Sequence, residues 1–153
     1  MMEQKYIKSF LKNGYFIINL KNKDFTSCRK FIQKYLIKNN IKIKLDNLHQ
    51  KVKISELNEL RMNLFKSINN NTNFKKNVFN SAKKYIDGCV GSEICSSDIN
   101  LSIQMPNDDT SLLEMHTDFF SGESLFQINL WIPFVDVKKT QSMFIIDPRT
   151  SHS

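Results

Sequence analysis

Glu114-Met-His-Thr-Asp-Phe-Phe-Ser-Gly-Glu-Ser-Leu-Phe-Gln-Ile-Asn-Leu-Trp-Ile-Pro-Phe-Val-Asp136 is the stretch from which the fold is read. In its second half Phe126, Ile128, Leu130 and Ile132 alternate with Gln127, Asn129 and Trp131. That period of two is expected of a strand with one buried face. In its first half His116 and Asp118 stand two residues apart. On an extended backbone, residues i and i+2 point to the same side, so an imidazole and a carboxylate at this spacing can hold one metal ion. They would be two of the three protein ligands of a two-histidine, one-carboxylate site, which leaves positions open for other ligands. His-x-Asp alone is a common pattern. Its place at a strand end, with Gly122 and an alternating strand after it, is where a barrel carries a ligand-bearing loop. The bland alternative is a surface loop in which Asp118 caps a turn and His116 is simply exposed.

Working outward, Ile99-Asn-Leu-Ser-Ile-Gln-Met105 alternates in the same way, and Pro106 to Ser111 reads as a turn or loop. Leu112 to His116 is predicted to be a strand delivering the histidine, and Ser142 to Ile146 one more strand. On such strands Gln104, Gln127, Asn129 and Trp131 are candidates to line a pocket. The chain before Gly91 is helical in pattern. Tyr6, Ile7, Phe10 and Leu11 recur at helical spacing and Gly14 marks a stop. Tyr15 to Leu20 reads as a short buried strand. Asp24 is a plausible N-cap for a helix bearing Phe25, Cys28, Phe31, Ile32, Tyr35 and Leu36, with a stop at Asn39-Asn40. Ser55 can cap a third helix with Leu57, Leu60, Leu64 and Ile68; Phe74, Val78, Ala82 and Ile86 mark a fourth, ending near Gly88. The segment from Ile41 to Val52 resists assignment. Its His49 has no carboxylate or second histidine at metal spacing and reads as a surface or structural residue. The fold class is therefore expected to be α+β: N-terminal helices over residues 1–90, then over 91–153 the first strands of a jelly-roll or cupin-like barrel, all in one domain.

The 153 residues suffice for one hydrophobic core. No apolar run approaches the ~18 residues that span a bilayer, and the N-terminus lacks a signal-peptide pattern, so a cytoplasmic protein with no membrane partner is expected. Cys28, Cys89 and Cys95 are odd in number and show no CxxC spacing, which points away from a disulfide framework or a zinc site. The net charge of +7 is unevenly divided. Residues 1–84 hold 19 of the 22 Lys and Arg against 5 acids, a balance of +14, whereas residues 85–153 hold 3 against 10, a balance of −7. The lysines are scattered singly along amphipathic helices with no Arg-rich block, so they read as solvated faces; nucleic acid is not expected as a partner.

Several motifs carry a resemblance. Leu101-Ser-Ile-Gln-Met-Pro106, Ser111-Leu-Leu-Glu-Met-His-Thr-Asp118, Ser121-Gly-Glu-Ser124, Leu130-Trp-Ile-Pro-Phe-Val-Asp136 and Lys139-Thr-Gln-Ser-Met143 resemble a family of Fe(II)/2-oxoglutarate oxygenases. That family occurs sporadically in carbohydrate-biosynthesis gene clusters and is distantly related to the phytanoyl-CoA dioxygenases. The likeness covers about residues 85–148, with a looser match at Leu57-Asn-Glu-Leu-Arg61. Leu125 and Gln127 depart from an expected Pro and Glu, and Gln141 from an expected Lys; His116 and Asp118 are kept.

The resemblance implies a double-stranded β-helix and an enzyme in which His116 and Asp118 hold Fe(II). 2-Oxoglutarate would be the co-substrate, decarboxylated as a sugar or activated sugar is oxidised in surface-polysaccharide synthesis. It also implies that Gln104 and Asn129 hydrogen-bond 2-oxoglutarate and that Trp131 packs beside it. The family pattern further requires a distal histidine and a cation for the far carboxylate of 2-oxoglutarate. Downstream stand only His152 and Arg149, in a polar tail with no strand to position them. The expectation is thus the N-terminal part of a longer oxygenase, its open strand edges favouring self-association or a missing C-terminal half. Two other readings stay open: a catalytically inactive cupin-like carbohydrate-binding module, and polyanion binding through the basic helical half.

Overall fold

The computed structural model describes residues 2–91, 93–96, 98–109, 114, 116–118, 122–124 and 126–146. Four α-helices carry the fold: α1 (Met2–Asn13), α2 (Lys23–Lys38), α3 (Ile54–Asn69) and α4 (Thr72–Val90). Short 3-10 turns occupy Leu45–Gln50 and Lys139–Gln141. No helix among the described residues is long and apolar enough to cross a membrane.

Local chemistry sets the helix ends. Gly14, at φ 77°, ends α1, and its N–H bonds the Phe10 carbonyl at 2.8 Å. The N-cap of α2 is Asn22, whose side chain accepts from the Phe25 N–H at 2.9 Å. Asp24, expected to be that cap, lies within the first turn, where its negative charge meets the helix's positive end. Asn22 also donates through Nδ2 to the Ser81 carbonyl of α4 at 2.8 Å, tying the start of α2 to its neighbour. Asn40 (φ 63°) closes α2 in the left-handed region that Asn tolerates. Helix α3 starts at Ile54 after Lys53 with no side-chain cap, so Ser55 falls within its first turn rather than before it. Asn71 caps α4 by accepting from the Phe74 N–H at 2.9 Å. That helix runs through Gly88, which faces Ile7 of α1, and stops at Gly91 with φ 84°.

Helix α4 is central, packing against α1, α2 and α3. The apolar stripes of α2, α3 and α4 meet in a core of Cys28, Ile32, Leu64, Ile68 and Phe74, continued by Leu36, Val52, Leu57 and Leu60. Each fully buried Leu or Ile among them contributes about 1.5–3 kcal/mol through loss of water contact. Under α1, Tyr6, Phe10 and Phe16 cluster with Tyr85, with ring centroids 5.1–6.4 Å apart. Phe16 belongs to the stretch expected to be a buried strand. Here 15–20 forms no strand; Phe16 packs on the rings of α1 and α4 while Ile17 is left 83% exposed.

The main correction concerns residues beyond Gly91. Among the described residues there is no β-strand, so the α+β class with part of a double-stranded β-helix does not hold; the described elements are helical. The alternation at Ile99–Met105 is nevertheless real. Ile99, Leu101, Ile103 and Met105 turn inward and pack on the core, while Asn100, Ser102 and Gln104 are exposed.

What they pack against is a helical core from α2, α3 and α4, and the backbone partners are side chains. Asn69, at the end of α3, accepts from the Ile99 N–H at 2.8 Å and donates to the Ile99 carbonyl at 3.0 Å, as a paired strand residue would. Arg61 donates through Nε to the Ile103 carbonyl at 3.1 Å, and again through Nη2. Period two reports that one face is covered, and a helix surface covers it as well as a second sheet does.

Further on, Phe134 stacks on Phe25 at 5.7 Å and meets Phe74 at 6.2 Å, docking the chain onto the start of α2. The alternation expected at Phe126–Ile132 is not realised as a buried face: Phe126 is 95% exposed. Ser142–Ile146, expected to be a strand, is not one: Ser142 follows the 3-10 turn and Met143–Ile146 is exposed without strand pairing among the described residues. Most of the strand expected at Leu112–His116, and both Arg149 and His152, lie outside the described residues.

Candidate metal centre

His116 and Asp118 are brought together. Nε2 of the imidazole lies 3.4 Å from Oδ1 of the carboxylate, and both side chains are partly exposed, 39% and 45%. The other ring nitrogen, Nδ1, lies 2.7 Å from the Glu114 carbonyl oxygen. A carbonyl only accepts, so Nδ1 carries the proton in this contact, and Nε2 is the ring nitrogen that faces Asp118.

The far oxygen of the carboxylate, Oδ2, accepts a hydrogen bond from Nδ2 of Asn129. Asn129 in turn accepts through Oδ1 from Nε2 of Gln127 at 2.9 Å. Two i, i+2 pairs, His116 with Asp118 and Gln127 with Asn129, thus form one chain of polar contacts, with Asp118 in a 3-10 turn rather than on a strand. The connection between them is turned by backbone bonds from Glu123 N–H to the Asp118 carbonyl and from Gln127 N–H to the Ser124 carbonyl, both 3.1 Å. Gly122, at φ 90°, supplies a left-handed position in that turn.

The spacing suits a cation. Imidazole nitrogen and carboxylate oxygen bind a first-row divalent metal such as zinc at about 2.0–2.2 Å, so adjacent donors on one ion stand roughly 3.0 Å apart at a right angle and roughly 3.4 Å at the tetrahedral angle. The observed 3.4 Å stands at the upper, tetrahedral end of that interval. The hydrogen bonds behind the donors match what metal ligands need: Nδ1–H fixed on a carbonyl, and the second carboxylate oxygen held by an amide. Among the described residues no third His, Cys, Asp or Glu joins the pair.

The other residues singled out in the sequence fall as follows. Asn129 enters the polar chain through Asp118. Gln104 stands on the exposed side of the 98–105 segment, and Trp131 is half exposed. His49 lies exposed in the 3-10 turn Leu45–Gln50. All three cysteines are free thiols. Cys28 is buried against the Phe74 carbonyl, and burial, with a smaller contribution from Asp24, pushes its pKa up to about 11. Cys89 is half-buried and is raised by burial, whereas Cys95 is exposed.

Pattern reading passed over the pairing of Arg61 with Asp108. Nη2 of Arg61 lies 3.4 Å from Oδ2 of an aspartate side chain only 1% exposed, in a turn where Asn107 adopts φ 58°. Three consecutive polar residues, Asn107-Asp-Asp109, look like solvated loop. Nothing in their order marks the middle one for burial beneath a helix.

No family model, curated protein or solved structure matches this chain.

Proposed function

We propose that the chain binds Fe(II) through Nε2 of His116 and Oδ1 of Asp118, in a 2-oxoglutarate-dependent oxygenase acting on a sugar or activated sugar. The observation that carries the reading is the convergence of these two donors at 3.4 Å, each fixed from behind by a hydrogen bond. The motifs around the pair, which resemble the carbohydrate-cluster oxygenases, supply the choice of metal and co-substrate.

Bound iron with 2-oxoglutarate would supply the oxidising chemistry. The chain's own contribution is to hold the donors and to orient what binds beside them. His116 is held through Nδ1 on the Glu114 carbonyl, which leaves Nε2 as the ring nitrogen turned towards Asp118. Asp118 turns Oδ1 towards His116 while Asn129 hydrogen-bonds its other oxygen. The half-exposed Trp131, two residues beyond Asn129, offers an aromatic face on which a sugar ring or 2-oxoglutarate can pack.

The test is an anaerobic Fe(II) titration in the presence of 2-oxoglutarate, followed by the weak visible charge-transfer band and then by succinate formation on admitting oxygen. The expected result is a band that His116→Ala removes. A band unchanged in that variant, or no band at saturating Fe(II), overturns the reading. Sugar binding without succinate would support a non-catalytic carbohydrate-binding role instead.

A further inference from the structure

Resting on the metal reading above, we infer that Asn129 is a positioning residue that makes Asp118 a one-oxygen ligand, and that Gln127 sets the direction in which Asn129 acts. The geometry is specific. Of the two oxygens of Asp118, Oδ1 faces His116 Nε2 at 3.4 Å, while Oδ2 accepts from the Asn129 amide nitrogen. An amide has one accepting and one donating end, and either can be turned towards a neighbour by rotation about its last side-chain bond. Gln127 removes that freedom. Its Nε2 donates to Asn129 Oδ1 at 2.9 Å, so the oxygen end of Asn129 is taken and the nitrogen end must face the carboxylate. With the amide reversed, its oxygen would meet Asp118 Oδ2, two acceptors in contact.

A carboxylate whose second oxygen is held in this way is biased to coordinate through Oδ1 alone, because turning both oxygens to one cation competes with the geometry of the Asn129 bond. One more position on the ion therefore stays open. That matters for a site in which a chelating co-substrate and a further small ligand must share the metal with the protein. It also adds to the partial exposure of the pair a direction of approach: a cation enters on the Oδ1 side, where His116 Nε2 stands.

The experiment uses the full chain and Co(II) as the probe, with affinity read by calorimetry and coordination by the visible d–d spectrum. Asn129→Ala is expected to weaken Co(II) binding about 10- to 100-fold, the range typical of losing a residue that orients a metal ligand. Its spectrum is expected to shift towards higher coordination number as Asp118 becomes free to bind through both oxygens. Gln127→Met, which keeps the length of the side chain and removes its donor, should move both readouts the same way by a smaller amount, although Gln127 does not touch Asp118 in the structure.

Asn129 and Gln127 are both exposed, so the thermal melt of either variant should match that of the parent chain. If Asn129→Ala binds Co(II) within a factor of three of the parent and its spectrum is unchanged, the positioning role is wrong while the metal site stands. If the parent chain fails to bind Co(II), or His116→Ala binds it equally well, the metal site itself is wrong and the positioning role falls with it.

Discussion

Replacing Asn69 by Ala tests how the chain beyond Gly91 is held to the helices. The Asn69 side chain makes two bonds to the same residue, from the Ile99 N–H to Oδ1 at 2.8 Å and from Nδ2 to the Ile99 carbonyl at 3.0 Å. A hydrogen bond of this kind adds about 0.5–1.5 kcal/mol net, so the two together are worth about 1–3 kcal/mol to the docked state of the segment. The substitution also improves helix propensity at the end of α3, by about 0.7 kcal/mol at most, so global stability is a blunt readout.

Amide exchange at Ile99 is sharper, because its N–H is held by Asn69 and by no backbone carbonyl seen among the described residues. At about 1.4 kcal/mol per tenfold, loss of both bonds should raise exchange at Ile99 about 5- to 150-fold. Amides in the middle of α3 should be unaffected. Asn69→Asp keeps the acceptor for the N–H and loses the donor, so its effect should be smaller. An Ile99 amide that stays equally protected in Asn69→Ala would mean that a neighbouring strand, not α3, holds this segment, and the helical account of residues 98–105 would fail.

Other outcomes follow from burial. Leu64→Ala, which empties a position 2% exposed at the junction of α2, α3 and α4, should cost about 2–5 kcal/mol in urea unfolding, whereas Ile17→Ser, at a residue 83% exposed, should cost less than about 0.5 kcal/mol. Iodoacetamide at neutral pH should label the exposed Cys95 first and leave Cys28 unmodified until the chain unfolds, as read by peptide mass. Because the folded state holds the Cys28 pKa at about 11 against an ordinary 9.0, the thiol's contribution to stability is intact below about pH 9 and is lost as pH rises towards 11; a Cys28→Ala variant should lack that alkaline loss in denaturation curves. Phe126 and Phe144, 95% and 78% exposed, should drive concentration-dependent association, and the double change to Ser should reduce it in sedimentation velocity; unchanged sedimentation would count against these side chains as the contact.

Legibility differed by element. The four helices could be read because each carries an apolar stripe at steps of three and four, and because Gly14, Asn39-Asn40 and the Asn69–Asn73 run punctuate them. Their caps were read less well. Asn22 outcompetes Asp24 because it can serve two partners at once, the Phe25 N–H and the Ser81 carbonyl 59 residues away, and the second is invisible to local pattern. The pairing of His116 with Asp118 could be read from spacing, as could the shared side of Gln127 and Asn129. That the two pairs meet across the turn at Gly122 could not.

What the amino-acid order determined by itself is therefore periodic and local: four amphipathic helices, an inward face at Ile99, Leu101, Ile103 and Met105, and two polar i, i+2 pairs. What only the tertiary structure decided is the identity of the partner for each face. An alternating segment needs its apolar side covered and its backbone polar groups bonded, but either requirement can be met by a strand or by a helix with suitable side chains. Asn69 and Arg61 reach from α3 to the carbonyls of Ile99 and Ile103, and Asn69 also takes the Ile99 N–H. Those are long-range contacts, 30 and 42 residues apart, and no window of sequence short enough to show periodicity is long enough to contain them.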